Sequence, residues 1–158
     1  MKKLIIIILL IALIAFVFYL IYNIKTPYYF NLENFTNVKV GLDGENVYLR
    51  DSCRKITFSV TQDQLMSIQF GLADVSYFRP LTHDLMKDIF DGFGIEVLFV
   101  EITEYKDETY HARLFLKQGN KILNLDSRPS DAIAIAIRYK KPVYVNKEIM
   151  EKQGINIC

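Results

Sequence analysis

An unbroken apolar run, Leu4–Tyr22, is the feature that most constrains how this chain folds. The run has 19 residues and follows Met1-Lys2-Lys3. As a helix it is about 28 Å long at 1.5 Å per residue, close to the roughly 30 Å hydrocarbon thickness of a bilayer. No small-residue cleavage site follows it, as a removed signal peptide would require. The run therefore predicts a retained transmembrane helix rather than a core helix or a leader.

The flanking charges predict how this helix is oriented. Lys2, Lys3 and the terminal amine outweigh Lys25 on the other side, which favours a cytoplasmic N-terminus and an extracytoplasmic domain. The predicted organisation is a membrane anchor at residues 1–25, a linker at 26–36 and one folded domain at 37–158. A chain of 158 residues has room for one such domain.

Charge and residue counts exclude several functional classes. Residues 1–25 hold three lysines and no acid, so the remainder carries a net charge of about −2 and any polyanion must bind to a local basic cluster. With only His83 and His111, and only Cys53 and Cys158, zinc ribbons and disulfide scaffolds are excluded. The two cysteines are either unpaired or bridged. The chain has no phosphate-binding glycine loop and no G-x-S-x-G sequence.

The remaining pattern intermixes short strands and helices without regular alternation, which predicts an α+β fold. We expect an antiparallel or mixed sheet packed with two to four helices, preceded by the transmembrane helix. Alternating apolar residues predict strands at 38–42, 47–49, 56–60, 95–105, 109–117, 121–125 and 143–145. Helices are predicted at 63–72, from residue 82 to about 93, at 132–140 and from 147 to Gln153 after an Asn146 cap. The helix after residue 82 is expected to bury Leu85, Ile89, Phe90 and Phe93.

Two polar clusters each precede a predicted helix. They comprise Arg79, Thr82, His83 and Asp84 in the first, and Asp126, Arg128, Ser130 and Asp131 in the second. A helix start presents unpaired N–H groups and a partial positive charge, which together with an arginine fork can seat a phosphate. If both starts face one cavity, Arg79 and Arg128 could clamp a phosphodiester while the aspartates hold a cation or activate water. The alternative is structural, with Thr82 and Ser127 as caps and the acids paired to the arginines.

Two segments resemble the bifunctional nuclease domain family, whose members act on both DNA and RNA. They are Arg79-Pro-Leu-Thr-His-Asp-Leu85 and Leu125-Asp-Ser-Arg-Pro-Ser-Asp-Ala-Ile-Ala134, followed by Lys141-Pro-Val-Tyr-Val145. The resemblance covers roughly residues 36–155. It implies a compact α+β nuclease with nucleic acid as its substrate, helped by a divalent metal such as Mg²⁺ or Mn²⁺.

Carried onto this sequence, the resemblance supplies a set of candidate site residues. The catalytic candidates are Asp126, Asp131, Asp84 and His83, with Asp126 and Asp131 also as metal ligands. The substrate-binding candidates are Arg79, Arg128, Ser130 and Thr82. The family tends to have Ile-Gly-x-x-Glu-Ala where this chain has Val60-Thr-Gln-Asp-Gln64-Leu, so Gln64 replaces an acid that either helps catalysis or only starts a helix.

Two matters stay open at this point. The same helix starts could instead bind an anionic ligand or a partner protein without catalysis, on the membrane surface. Assembly of several copies of the chain into a homo-oligomer is also left open, because no sequence feature decides it.

Overall fold

The computed structural model describes residues 2–23 and 30–158, and within the first helix it describes side chains from Ile8 to Tyr19. The chain forms two compact units, residues 1–30 and 31–158. The predicted linker, residues 26–36, falls partly outside the described residues.

The first unit contains helix α1, Lys2–Asn23, so the apolar run is helical as predicted. Over the described residues, however, no helix of the structure is both long enough and apolar enough to cross a membrane. This finding contradicts the predicted single-pass protein with a cytoplasmic N-terminus and an extracytoplasmic domain.

The second unit contains one mixed eight-stranded sheet and four helices, which confirms the α+β prediction. Its elements in chain order are β1 (Phe35–Asp43), β2 (Asn46–Arg50), β3 (Arg54–Ser59), α2 (Gln62–Ala73), α3 (Thr82–Gly92), β4 (Glu96–Lys106), β5 (Thr109–Gln118), β6 (Lys121–Ser127), α4 (Pro129–Arg138), β7 (Val143–Asn146), α5 (Lys147–Gln153) and β8 (Ile155–Asn156). The strand order is β6-β5-β4-β7-β1-β2-β3-β8. Only the β4–β7 pair is parallel among the strand pairs of the described chain.

The core lies between this sheet and helix α4. Residues 132–136 of α4 are all buried, and the alternating alanines and isoleucines allow the helix to pack closely against β4 and β5. Helices α2 and α3 pack in turn on α4. The start of α4 is thereby held beside the two other helices.

Helix α3 is rotated relative to its predicted orientation. Phe90 is buried as expected, but Leu85, Ile89 and Phe93 are 56%, 45% and 70% exposed, whereas His83 is buried. Residues 83 and 90 are seven apart and share a face, whereas 85 and 89 lie roughly 100° or more around the helix from both. Phe93 is the C-cap, one residue beyond the last helical residue Gly92. The polar contacts of His83 and Asp84 described below turn this face inward, so the predicted apolar stripe was wrong.

The two cysteines form a disulfide between Cys53, just before β3, and Cys158, with Cα atoms 4.9 Å apart. The C-terminal residues are further held by β8, which pairs with β3. The bridge thus closes a loop of 105 residues around most of the second unit.

Candidate functional site

The starts of α3 and α4 are built differently from the predicted caps. Leu81 is the N-cap of α3, and its N–H donates to the Asp84 carboxylate at 2.9 Å. Arg128 is the N-cap of α4, with Pro129 in the first turn where its missing N–H costs nothing. The predicted caps Thr82 and Ser127 therefore lie one residue away from the capping positions.

Both helix starts border one open cavity of about 740 Å³, here called the central cavity. Its walls include residues from α2, α3, the end of β6 and the start of α4. The lining residues are Asp63, Gln64, Met66, Ser67, Leu81, Thr82, His83, Met86, Asp126, Ser127, Arg128 and Asp131. Five of the eight candidate site residues therefore line this cavity: Thr82, His83, Asp126, Arg128 and Asp131.

A buried chain of polar contacts crosses this wall. The Ser67 hydroxyl lies 2.8 Å from His83 Nδ1, and His83 Nε2 lies 3.3 Å from Asp131 Oδ1. An ionised carboxylate only accepts hydrogen bonds, so the neutral imidazole carries its proton on Nε2 and Nδ1 accepts from Ser67. The contact chain therefore fixes both the ring orientation and the tautomer of His83.

His83 is held in its neutral form. Burial lowers the pKa of His83 below its ordinary value, the carboxylate of Asp131 opposes this shift, and the charge of Arg138 adds to it. The net direction is downward, so the imidazole is uncharged at neutral pH. A neutral ring can accept a proton, which is a property of a general base or of a positioning group.

Asp131 is also bound by the exposed Arg128 side chain. Arg128 Nε donates to Asp131 Oδ2 at 2.6 Å and Arg128 Nη2 donates to Oδ1 at 3.1 Å. The guanidinium has five N–H groups, and its side chain is 71% exposed. Arg128 is thus fixed by its carboxylate partner while still facing solvent at the edge of the cavity.

Asp84 forms a separate pair that lies behind the cavity wall. Its Oδ1 accepts from Nε of the buried Arg138 at 2.7 Å. Partial burial raises the pKa of Asp84, but the hydrogen bonds from Arg138 and from the Leu81 N–H outweigh it, so the pKa lies below its ordinary value. Arg138 also donates to the Ser67 and Ala134 carbonyl oxygens. The pair ties α2, α3 and α4 together.

The remaining candidates occupy three different surroundings. Asp126 is an exposed residue on the central cavity, and its carboxylate forms no hydrogen bond or ion pair with other described residues. Ser130 lines a neighbouring cavity. Arg79 is exposed and lies outside the residues that line either cavity. Of the two arginines predicted to clamp a phosphodiester, only Arg128 therefore lines the central cavity.

No group of three or more His, Cys, Asp or Glu side chains that could hold a metal occurs among the described residues. The predicted ligands Asp126 and Asp131 both line the central cavity, but each oxygen of Asp131 already accepts a hydrogen bond from Arg128. Two carboxylates suit a magnesium ion that keeps most of its waters, not an ion enclosed by protein ligands. The residues present therefore do not form a preformed metal cage.

A second cavity of about 620 Å³, here called the tyrosine cavity, adjoins the first. Its walls come from β3, the turn between β4 and β5, and the start of α4. The lining residues are Thr57, Phe58, Ser59, Val60, Gln64, Tyr105, Glu108, Thr109, Tyr110, Arg128, Pro129, Ser130 and Gln153. Gln64 and Arg128 line both cavities, so these two residues form their common border.

Three site residues were missed by sequence reasoning: Ser67, Arg138 and Asp63. Ser67 and Arg138 belong to helices predicted only from their apolar spacing, which says nothing about polar side chains on the same face. Gln64 was noted as a replacement for an acid, and its side chain accepts from the Thr61 N–H at 3.0 Å. The helix-starting role is thus performed by the amide in this chain.

Comparison with known proteins gives a family match and several relatives. The model of the bifunctional nuclease domain matches residues 47–158. Bifunctional nuclease 1 of Arabidopsis thaliana is 39% identical over 90 residues, which cover 55% of this chain and 28% of that protein. A bifunctional nuclease of Oryza minuta is 37% identical over 90 residues, covering 55% of this chain and 27% of that protein.

A bacterial relative matches over a longer part of its own length. An uncharacterized protein of Mycobacterium tuberculosis is 31% identical over 104 residues, which cover 66% of this chain and 62% of that protein. In the plant relatives, the matched part spans little more than a quarter of the protein.

Proposed function

The chain belongs to the bifunctional nuclease domain family, and from this we propose that it hydrolyses phosphodiester bonds in DNA, RNA or both. The single observation that carries the proposal is the meeting of two helix starts at one open cavity. His83, Asp131, Arg128 and Asp126 all lie on its wall. The relatives named as nucleases support the same reaction, although they match over about half of this chain.

The substrate phosphate binds at Arg128 and Thr82 in this proposal. Arg128 uses two of its five N–H groups on Asp131, and the others remain for phosphate oxygens. Thr82 stands in the first turn of α3, where backbone N–H groups and the helix dipole favour an anion. Asp131 then acts as a positioning residue that orients the Arg128 fork.

Water activation is assigned to Asp126. Its carboxylate faces the central cavity without a partner among the described side chains, so it can accept the proton of an attacking water. The P–O bond to the leaving oxygen breaks, and that oxygen takes a proton from solvent in the open cavity. His83 and Ser67 hold Asp131 in place through the contact chain described above.

A divalent metal is part of the proposal, although the described residues do not form a closed metal site. Asp126 and Asp131 would be the residues that hold Mg²⁺ or Mn²⁺, and the ion would supply neutralisation of the charge that develops on the phosphoryl group. Binding by two carboxylates and several waters is within the ordinary range for magnesium.

Cleavage of labelled single-stranded DNA and RNA by the full chain, with Mg²⁺, with Mn²⁺ and with EDTA, tests the proposal. We expect Asp126→Asn to lower kcat about 10²- to 10³-fold, as for loss of a general base. Arg128→Gln and Asp131→Asn are expected to lower kcat/KM at least tenfold, since a charge-assisted contact is worth about 1.5–3 kcal/mol. The product ladder is quantified on gels.

Asp74→Asn and Arg50→Gln are the matched controls, because both residues are exposed and lie outside both cavities. They should cleave like the unchanged chain. Equal residual cleavage by every variant would show that a contaminating nuclease causes it, and the proposal would then be abandoned.

One observation favours a second candidate, a non-catalytic module that binds anions. Asp131 is bound by Arg128 and Asp84 is bound by Arg138, so two of the three candidate aspartates have structural partners. In that case the chain would bind an oligonucleotide through Arg128 without cleaving it under any metal condition. The same assay series, with binding measured in parallel, separates the two functions.

A further inference from the structure

Three aromatic rings meet on one wall of the tyrosine cavity. The centroids of Tyr105 and Tyr110 are 4.6 Å apart, and those of Phe58 and Tyr110 are 5.6 Å apart. Tyr105 is 39% exposed, while Tyr110 and Phe58 are half-buried. The three rings therefore form an aromatic surface that faces solvent, here called the ring surface. Tyr105 is its most exposed member, and Tyr110 and Phe58 pack beneath it.

The backbone holds this surface firmly in place. Tyr105 and Tyr110 are cross-strand partners in the antiparallel pair of β4 and β5. The strands are joined by Asp107 and Glu108, both with positive φ, as in the tight turn that matches strand twist. Phe58 comes from β3. The ring surface is thus carried by strands rather than by a long loop.

The charges around the rings indicate what kind of group fits there. Glu108 is the one carboxylate and Arg128 the one cation among the residues that line this cavity. Burial raises the pKa of Tyr110 and the neighbouring Tyr105 adds to this, so the phenol stays uncharged. Glu108 disfavours a phosphate beside the rings, whereas a flat uncharged group can stack on them.

The position of Arg128 connects this surface to the proposed hydrolytic site. Arg128 lines both cavities, with its side chain 71% exposed. If a nucleotide phosphate binds at Arg128, the base of that nucleotide or of the next one along the strand would lie beside the rings of the tyrosine cavity. Side-chain amides of Gln64 and Gln153 and the hydroxyl of Ser59 line the same space and offer hydrogen bonds to the edge of a base.

We propose that the tyrosine cavity is a nucleobase subsite, and that the substrate of the neighbouring site is therefore a single-stranded or unpaired stretch of nucleic acid. This inference rests on the proposed function. A base stacked in a duplex cannot reach Tyr105 unless it leaves the stack, which costs a few kcal/mol. Stacking on an aromatic side chain accepts any base, so the subsite selects strandedness rather than sequence.

The test compares a fluorescein-labelled single-stranded 12-mer with the same backbone in which the internal bases are replaced by abasic tetrahydrofuran units. Binding is measured by anisotropy on the full chain carrying Asp126→Asn, in which cleavage is expected to be at least about 10²-fold slower. We expect the intact strand to bind roughly 5- to 100-fold more tightly, as a stacked base contributes about 1–3 kcal/mol. Tyr105→Ala should reduce this preference to less than about twofold, and Tyr105→Phe should restore it.

Tyr77→Ala is the matched control, because Tyr77 is 40% exposed, contacts other aromatic rings and lies outside both cavities. It should keep the full preference for the intact strand. The subsite is refuted if the protein with Tyr105 intact binds the intact and abasic strands equally. It is also refuted if the Tyr105→Ala variant still prefers the intact strand.

Cleavage separates this proposal from the nuclease proposal. On a chain without substitutions, we expect a single strand to be cut at least tenfold faster than a blunt duplex of the same sequence, because the base must be unstacked. Base-dependent binding without cleavage would refute the nuclease function and retain the subsite. Cleavage that depends on Arg128 but not on bases or on Tyr105 would retain the nuclease function and refute the subsite.

Discussion

At the scale of single residues, His83 links the two helix starts that form the site. It stands in the first turn of α3, contacts Ser67 of α2 through Nδ1 and contacts Asp131 of α4 through Nε2. The sequence indicated His83 as a candidate because it precedes Asp84 at a helix start. It could not indicate Ser67, because the partner of a buried ring nitrogen depends on tertiary packing and not on local spacing.

The lowered pKa of His83 predicts a specific pH dependence of stability. Above the unfolded value of about 6.5 the ring is neutral in both states, and its native contacts are complete. Below that pH the unfolded state takes up a proton more readily than the folded state, so the free energy of unfolding falls towards the lower folded pKa. Urea unfolding between pH 8 and pH 5 should show this fall.

His83→Gln should reduce the fall between pH 6.5 and pH 5, since the titrating group is gone. His111→Gln, at the only other histidine, is the comparison that shows whether the change is specific to position 83. Parallel pH profiles for the unchanged chain and His83→Gln would contradict a neutral buried His83.

At the scale of elements, the strands and helices followed from sequence pattern more closely than their packing did. The strand pairs at 38–42 with 47–49 and at 95–105 with 109–117 were predicted from alternation, the Asn146 cap of α5 was predicted from its residue type, and all are present. The rotation of α3 was not predictable from its apolar residues. Its buried face is set by polar contacts, and the buried Arg138 that makes one of them lies 54 residues away in sequence.

Removal of the Asp84 carboxylate tests this packing. In Asp84→Ala the buried guanidinium of Arg138 would lose its charged partner, which costs about 3 kcal/mol in the free energy of unfolding. Asp91→Ala is the comparison, because it removes an exposed carboxylate that pairs with Lys87 and accepts from the Tyr139 hydroxyl, and its loss should be clearly smaller. Urea denaturation of both variants gives the difference. Equal small losses would show that the Asp84–Arg138 pair does not hold the helices.

At the scale of the whole molecule, the sequence pattern did not predict two features correctly: the disulfide pairing and the surroundings of helix α1. The pairing of Cys53 with Cys158 was left open because nothing local brings residues 105 apart together; β8 does so by pairing with β3. The apolar run correctly predicted helix α1, but the predicted membrane crossing was contradicted for the described residues. A run of apolar residues predicts that a segment is helical more reliably than it predicts whether the helix crosses a membrane.

Reduction of the disulfide should destabilise the folded domain. Opening a loop of 105 residues restores conformational freedom to the unfolded chain, worth about 4–5 kcal/mol in the loop-entropy model. Urea unfolding with and without a reductant measures the loss. The double variant Cys53→Ser with Cys158→Ser should be equally destabilised and insensitive to the reductant; a loss below about 1 kcal/mol would contradict the predicted contribution.

The most direct test of the central claim is whether both helix starts respond to one phosphodiester. The full chain, labelled with ¹⁵N, is titrated with a dinucleoside monophosphate while amide resonances are followed. We predict that the N–H signals of His83 in α3 and of Ser130 and Asp131 in α4 shift together with a single Kd, and that Arg128→Gln weakens both shifts equally. Shifts confined to one helix start, or to neither, would contradict a shared phosphate site.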